Sequence, residues 1–164
     1  MLSDREIEQY YTKEPKYGGC FSAAHLRKAT SNKFWILNLD HPNNGGTHWV
    51  LLSTLTPKKP FYFDSFGMPP DDGVMKSIRG NKSSPKILYN SIQIQGVENS
   101  DCGSYCIDVA NHLLRGESPE RVLDSFDLQN TTQNAKEVVN HAWPTKTKQM
   151  VGTRLPRMFF KKKE

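Results

Sequence analysis

Long apolar runs are missing from this sequence, and cysteine is scarce in it. Hydrophobic residues make up 36% of the chain, yet no stretch approaches the roughly 20 apolar residues that a membrane-spanning helix needs. The opening MLSDREIEQYY is interrupted by charge before the apolar core of a signal peptide could form. The expectation is an intracellular protein made in the cytosol, with no membrane partner. The three cysteines, Cys20, Cys102 and Cys106, are odd in number and lack the spacing of a zinc site. A disulfide framework is therefore not expected, and neither is a metal; the thiols should be free.

What is present suffices for one domain, expected to be monomeric. The 164 residues include three Trp, eight Phe and six Tyr, enough to bury a substantial core. The net charge of +5 is unevenly spread. Residues 145–164 hold seven basic residues (Lys146, Lys148, Arg154, Arg157, Lys161, Lys162, Lys163) and one acid, Glu164, so the whole positive excess lies there. This divides the chain into one folded domain over 1–144 and a basic tail over 145–164. Interleaved with Met150, Leu155, Met158, Phe159 and Phe160, the tail is a candidate contact for nucleic acid or for an acidic activator. A solvated tail or a nuclear-import signal accounts for its composition equally well.

Local patterns give the element order. Ser3 and Glu6 form a capping box ahead of Ile7, Tyr10 and Tyr11, predicting a first helix. Tyr17 to Ser22 reads as a turn, with Ser22 capping a short helix over Ala23 to Lys28 that carries a surface or packing histidine, His25. Lys33–Leu39, Thr47–Ser53 and Phe61–Gly67 read as strands, the last two as a hairpin. Asp71, Asp72 and Gly73 read as a surface turn. Pro119 at a first helical position and Thr131 or Thr132 open two scaffold helices, the second running through Val138, Val139 and Trp143 to Pro144. Helix, strands, then helices predict an α+β fold: a small mixed β-sheet flanked by helices.

One helix carries the chemistry. In QGVENSDCGSYCIDVANHLL, Cys106, Val109, Ala110 and Leu113 repeat at helical spacing, so Cys102 falls in the first turn with Asp101 as expected N-cap. The nucleophile would stand at the N-terminus of a central helix, where free N–H groups and the macrodipole favour a thiolate. Gly103 lets a substrate backbone pass close to the sulfur. Cys106 reads as a packed helix cysteine. Upstream, His48 opens a strand beside a Gly-Gly turn and Asp64 ends one. If the two meet, the carboxylate fixes the imidazole tautomer, as in a nucleophile–base–acid triad. Their register is open at this level, and His41 is a rival base.

The order His, acid, Cys resembles that of the adenovirus-type cysteine endopeptidases, whose clan also contains the SUMO-deconjugating proteases. The family's His-Trp pair after Gly-rich turns is matched by GGTHW, its acid before Phe-Gly by YFDSFG, and its nucleophile motif by QGVENSDCGSYC. The Gln-x6-Cys spacing is the adenovirus one, while Asp in place of Glu is the SUMO-protease choice. The likeness covers about residues 1–115. It implies catalytic His48, Asp64 and Cys102, an oxyanion hole from Gln95 and the Cys102 backbone, and a substrate channel by Gly46, Trp49 and Gly103. It further implies polypeptide substrates cleaved near glycine, virion maturation in a host nucleus or virion, and no cofactor required by the chemistry, with DNA or a peptide as a potential activator. The chain is shorter than the adenovirus enzyme and has no cysteine between Asp64 and Gln95 for a disulfide to such a peptide. A deconjugase for a ubiquitin-like modifier shares every one of these residues. A non-catalytic nucleic-acid-binding module would rest on the tail alone.

Overall fold

The computed structural model describes residues 1–39, 48–56, 58–79 and 86–142. Five strands form one sheet in chain order: β1 (Tyr17–Ser22), β2 (Phe34–Asn38), β3 (Trp49–Ser53), β4 (Phe61–Phe63) and β5 (Leu88–Tyr89). The outer pairs β1–β2 and β4–β5 are parallel and the inner pairs antiparallel, so the sheet is mixed. The helices are α1 (Asp4–Tyr11), α2 (Asp72–Arg79), α3 (Cys102–Leu114), α4 (Pro119–Asp124) and α5 (Thr131–Ala142). The fold is α+β. No helix among the described residues is long and apolar enough to cross a membrane.

The central strands are apolar almost throughout because both faces of the sheet are covered. Phe34, Ile36, Leu51, Phe61 and Phe63 pack with Tyr105, Cys106, Ile107, Val109 and Ala110 of α3. On the opposite face Trp35, Leu37, Val50, Leu52 and Tyr62 pack with Ala23, Leu26 and Val74. Helix α3 is buried along nearly its whole length and is the central helix of its layer. Helix α1 begins with the expected capping box between Ser3 and Glu6. It is tied to the sheet by Glu8, which accepts from the Cys20 N–H at 2.8 Å and the Tyr17 hydroxyl at 3.1 Å.

Three local expectations fail for physical reasons. Tyr17–Ser22 is a strand, not a turn. Its glycines serve packing: a Cβ on Gly18 would lie 2.1 Å from the Trp35 indole nitrogen, and the register shifts between Tyr17 and Gly19, where φ is +128°. Second, the helix expected over Ala23 to Lys28 is only a 3-10 turn over Ala23–His25, because Ser22 makes no side-chain cap bond; His25 is exposed. Third, the surface turn at Asp71 to Gly73 opens α2. The Asp71 carboxylate accepts from the Val74 N–H at 2.8 Å, and its carbonyl from the Met75 N–H at 3.0 Å, so Asp71 caps a helix. Trp143, Pro144 and the tail lie outside the described residues.

Phe34 gives a direct test of the larger core. It is fully buried, with Tyr11 edge-on at 4.9 Å and Tyr17 at 5.4 Å between ring centroids. Phe34→Ala is expected to cost about 3–5 kcal/mol in urea unfolding. A loss below about 1 kcal/mol would mean that the site collapses around the missing ring, against this packing.

Candidate active site

Strands β3 and β4 run antiparallel with Leu51 opposite Phe63. The residue before β3 and the residue after β4 therefore meet at the same end of the sheet, away from their connecting turn. Continuing the register puts Asp64 opposite Val50, so His48 and Asp64 are diagonal neighbours. The His48 Nε2 donates to Asp64 Oδ1 at 2.9 Å. That bond places the proton on Nε2 and leaves Nδ1 as the second ring nitrogen.

Asp64 is itself firmly held. Its side chain is 1% exposed, and Oδ1 also accepts from the Phe66 N–H at 2.7 Å. Its backbone N–H donates to Asn90 Oδ1 at 3.0 Å, while Asn90 Nδ2 donates to the Asp64 carbonyl at 2.5 Å. The turn closes through Gly67, whose N–H donates to the Asp64 carbonyl at 2.8 Å. Gly67 has φ +73°, and a Cβ there would strike the backbone of Ile92 and Gln93. The Phe66 ring lies 5.0 Å from the His48 ring.

Cys102 is the first residue of α3, so its sulfur belongs to the helix N-terminus. The Trp49 N–H donates to Cys102 Sγ at 3.5 Å, which adds a dipole aimed at the sulfur. Asp101 occupies the N-cap position but makes no side-chain cap bond. Its φ of −93° and ψ of 19° are not the extended values that swing a carboxylate over the first turn. The Asp101 N–H instead donates to Asn99 Oδ1 at 2.6 Å, so Asn99 fixes the entry to the helix.

Electrostatics mark out His48 and hold two of the three thiols protonated. Burial pulls the His48 pKa down, but the Asp64 hydrogen bond, the Cys102 side chain and both their charges outweigh it and raise it to about 9. A thiol and an imidazole that interact in this way can rest as an ion pair. Cys20 is pushed up to about 12 by burial and by Glu8 and Asp4. Burial holds Cys106 well above its ordinary value, with the Cys102 and Asp64 charges adding to the effect. Both are protonated packing residues.

Gln95 is fully buried, and its side chain is engaged at both ends. Its Oε1 accepts from the Ser65 hydroxyl at 2.5 Å, and its Nε2 donates to the Asn99 carbonyl at 2.6 Å. A second, longer contact of 3.4 Å joins the same Nε2 to Asn99 Oδ1. The Ser65 carbonyl also accepts from the N–H groups of Ile94 and Gln95. Two sets of hydrogen bonds, His48 to Asp64 and Ser65 through Gln95 and Asn99 to Asp101 beside Cys102, are thus joined by the Asp64–Ser65 peptide link. Sequence reading gave no role to Ser65 or Asn90, and took Asn99 only as part of a tight loop leading into the helix. Only the Ser in YFDSFG and the Asn in QGVENSDC, within the motifs already quoted, could have drawn attention to two of them.

Residues expected to line a substrate channel have other demands on them. Trp49 is buried, and its indole N–H donates to the Leu2 carbonyl at 3.0 Å. A Cβ on Gly103 would meet Leu2 and Trp49 at 3.2 Å, so packing of the N-terminal segment already favours a small residue there. Beside them opens a groove of about 500 Å³ lined by Leu2, Phe21, Ser22, Asn38 and Trp49 among others. The buried Asn38 Oδ1 in its wall has no hydrogen-bond partner among the described residues. Gly46, His41 and the basic residues Lys146, Lys148, Arg154, Arg157, Lys161, Lys162 and Lys163 lie outside the described residues. Compared with known proteins, the chain matches no family model, and no curated protein matches it significantly.

Proposed function

We propose that this protein is a cysteine endopeptidase acting through Cys102, His48 and Asp64. The observation that carries this reading is the His48–Asp64 hydrogen bond of 2.9 Å, with the same imidazole raised to about 9 in part by its interaction with Cys102. Of the three cysteines, only Cys102 lies at a helix N-terminus and interacts with a histidine.

In the proposed reaction the Cys102 thiolate adds to the scissile carbonyl, and the negative charge moves to the carbonyl oxygen. The Cys102 N–H, unpaired within the helix at its first position, and the side-chain amide of Gln95 are the donors that stabilise that oxyanion in this scheme. The tetrahedral adduct collapses by breaking the C–N bond, and His48 gives its proton to the departing amine. Water then hydrolyses the thioester, with His48 as base, and returns the free thiol. Asp64 keeps the proton on Nε2 and stabilises the imidazolium throughout. The motif resemblance suggests an extended peptide with glycine near the scissile bond. The same resemblance suggests viral precursor proteins as substrates and a host nucleus or virion as the place of action. DNA or a peptide remains a candidate activator.

A panel of glycine-containing peptides set against fusions to ubiquitin-like proteins ending in Gly-Gly tests this reading. Cleavage within the peptides is expected, and Gln95→Ala should lower kcat by about 10²–10³. Cleavage confined to the ubiquitin-like fusions would replace the endopeptidase reading with a deconjugase. No cleavage of either class, with or without DNA, would sink both.

A further inference from the structure

We propose that Asp108, His112 and His141 form a binding site for a divalent transition metal, zinc by its donor set, which fastens α5 to the helix that carries Cys102. Asp108 and His112 are four residues apart on α3 and so share one face. His141 comes from the last turn of α5, which packs against α3. The Asp108 Oδ1 lies 3.3 Å from His141 Nδ1 and 3.8 Å from His112 Nε2, and the three donor atoms are within 4.8 Å of one another. Zinc bonds of about 2.1 Å in tetrahedral geometry hold donors roughly 3.4 Å apart, so small side-chain adjustments suffice.

A second contact, outside the trio, selects the same role. Glu117 Oε1 sits 2.8 Å from His112 Nδ1 and is held from the other side by Arg115 Nε at 3.4 Å. A carboxylate on Nδ1 fixes the proton there and turns the lone pair of Nε2 toward Asp108 and His141. Histidine ligands of metals are commonly oriented in this way. Asp108 is only 5% exposed, and a buried carboxylate is costly without a cation. His141 is 58% exposed, so the fourth position opens to solvent and a water can complete the set. Two imidazoles and one carboxylate favour zinc over calcium or magnesium, and the lack of sulfur disfavours copper(I). The competing account is an ion-pair network of the same four side chains, in which a protonated His112 bridges Glu117 and Asp108.

The test uses the full chain carrying Cys102→Ala, so that the reactive thiol cannot bind the metal, after treatment with a chelator. Zinc chloride titrated by calorimetry should show one bound equivalent and raise the melting temperature. Adding His141→Gln should lower the metal-free melting temperature only slightly, since His141 is largely exposed, and weaken zinc binding at least tenfold. Glu117→Gln should weaken it about 10- to 100-fold. Cobalt(II) in place of zinc should give visible d–d bands without a thiolate-to-metal band. No zinc uptake at millimolar metal would overturn the proposal and leave the ion-pair network. Affinity unchanged by both His141→Gln and His112→Gln, or a thiolate-to-cobalt band, would also overturn it.

Discussion

Cys102→Ala is expected to abolish peptide cleavage while the melting temperature stays that of the parent protein. The sulfur is the only heavy atom of the protein that bonds covalently to the substrate in the proposed reaction. Its removal takes away the covalent step, not merely a favourable contact. Cys102 is buried and accepts from the Trp49 N–H, but the larger part of the packing of α3 is carried by Tyr105, Cys106, Ile107, Val109 and Ala110, so the fold should survive the loss of one sulfur atom. Turnover by the Cys102→Ala protein above the level of a reagent blank would refute the nucleophile. Loss of both turnover and thermal stability would instead make the thiol a packing residue, and Cys102→Ser, which keeps the volume, would then melt normally.

Asp64→Asn is the second large effect, and it has a signature in pH as well as in rate. An amide in place of the carboxylate can donate to the imidazole and favour the wrong tautomer; in a serine-protease triad the corresponding change costs about 10⁴ in kcat. The His48 pKa is first depressed by burial and then raised to about 9, chiefly through Asp64 and Cys102. The imidazolium that protonates the leaving amine should therefore persist to about pH 9, giving the alkaline limb of kcat/KM. Without the Asp64 charge, that limb should move toward lower pH. A folded-state pKa raised above the unfolded value of about 6.5 also contributes stability, which is complete below that value. It is lost as pH rises through about 9, a loss that Asp64→Asn should blunt. An alkaline limb at the same pH in both proteins would show that Asp64 does not govern the imidazole.

Much of this arrangement was legible in the sequence because motif and element coincide. FWILN and WVLLS read as buried strands from their length and their aromatic and β-branched content, and the apolar spacing after Cys102 read as a helix. The meeting of His48 with Asp64 was not legible, because it depends on a hairpin register that no local signal fixes. Asp101 misled for a related reason. Its residue type suits an N-cap, but the bond from its N–H to Asn99 belongs to a loop whose shape is set by Gln95 and Ser65. The Gly-Gly of β1 read as a turn because the Trp35 ring that requires it comes from the neighbouring strand. The Asp108, His112 and His141 cluster escaped for want of a contact map. The i, i+4 pair on α3 is visible in the sequence, but the third residue arrives from a separate helix.

The central claim is that one of three thiols is poised as a nucleophile by an imidazole. Cys20, Cys102 and Cys106 are all buried, so access alone does not separate them sharply. A brief exposure to limiting iodoacetamide at mildly acidic pH, followed by peptide mass mapping, reads their reactivity directly. The account predicts alkylation at Cys102 with Cys20 and Cys106 spared, and loss of that selectivity in His48→Ala. Equal labelling of the three, or selective labelling of Cys102 that persists without His48, would contradict it.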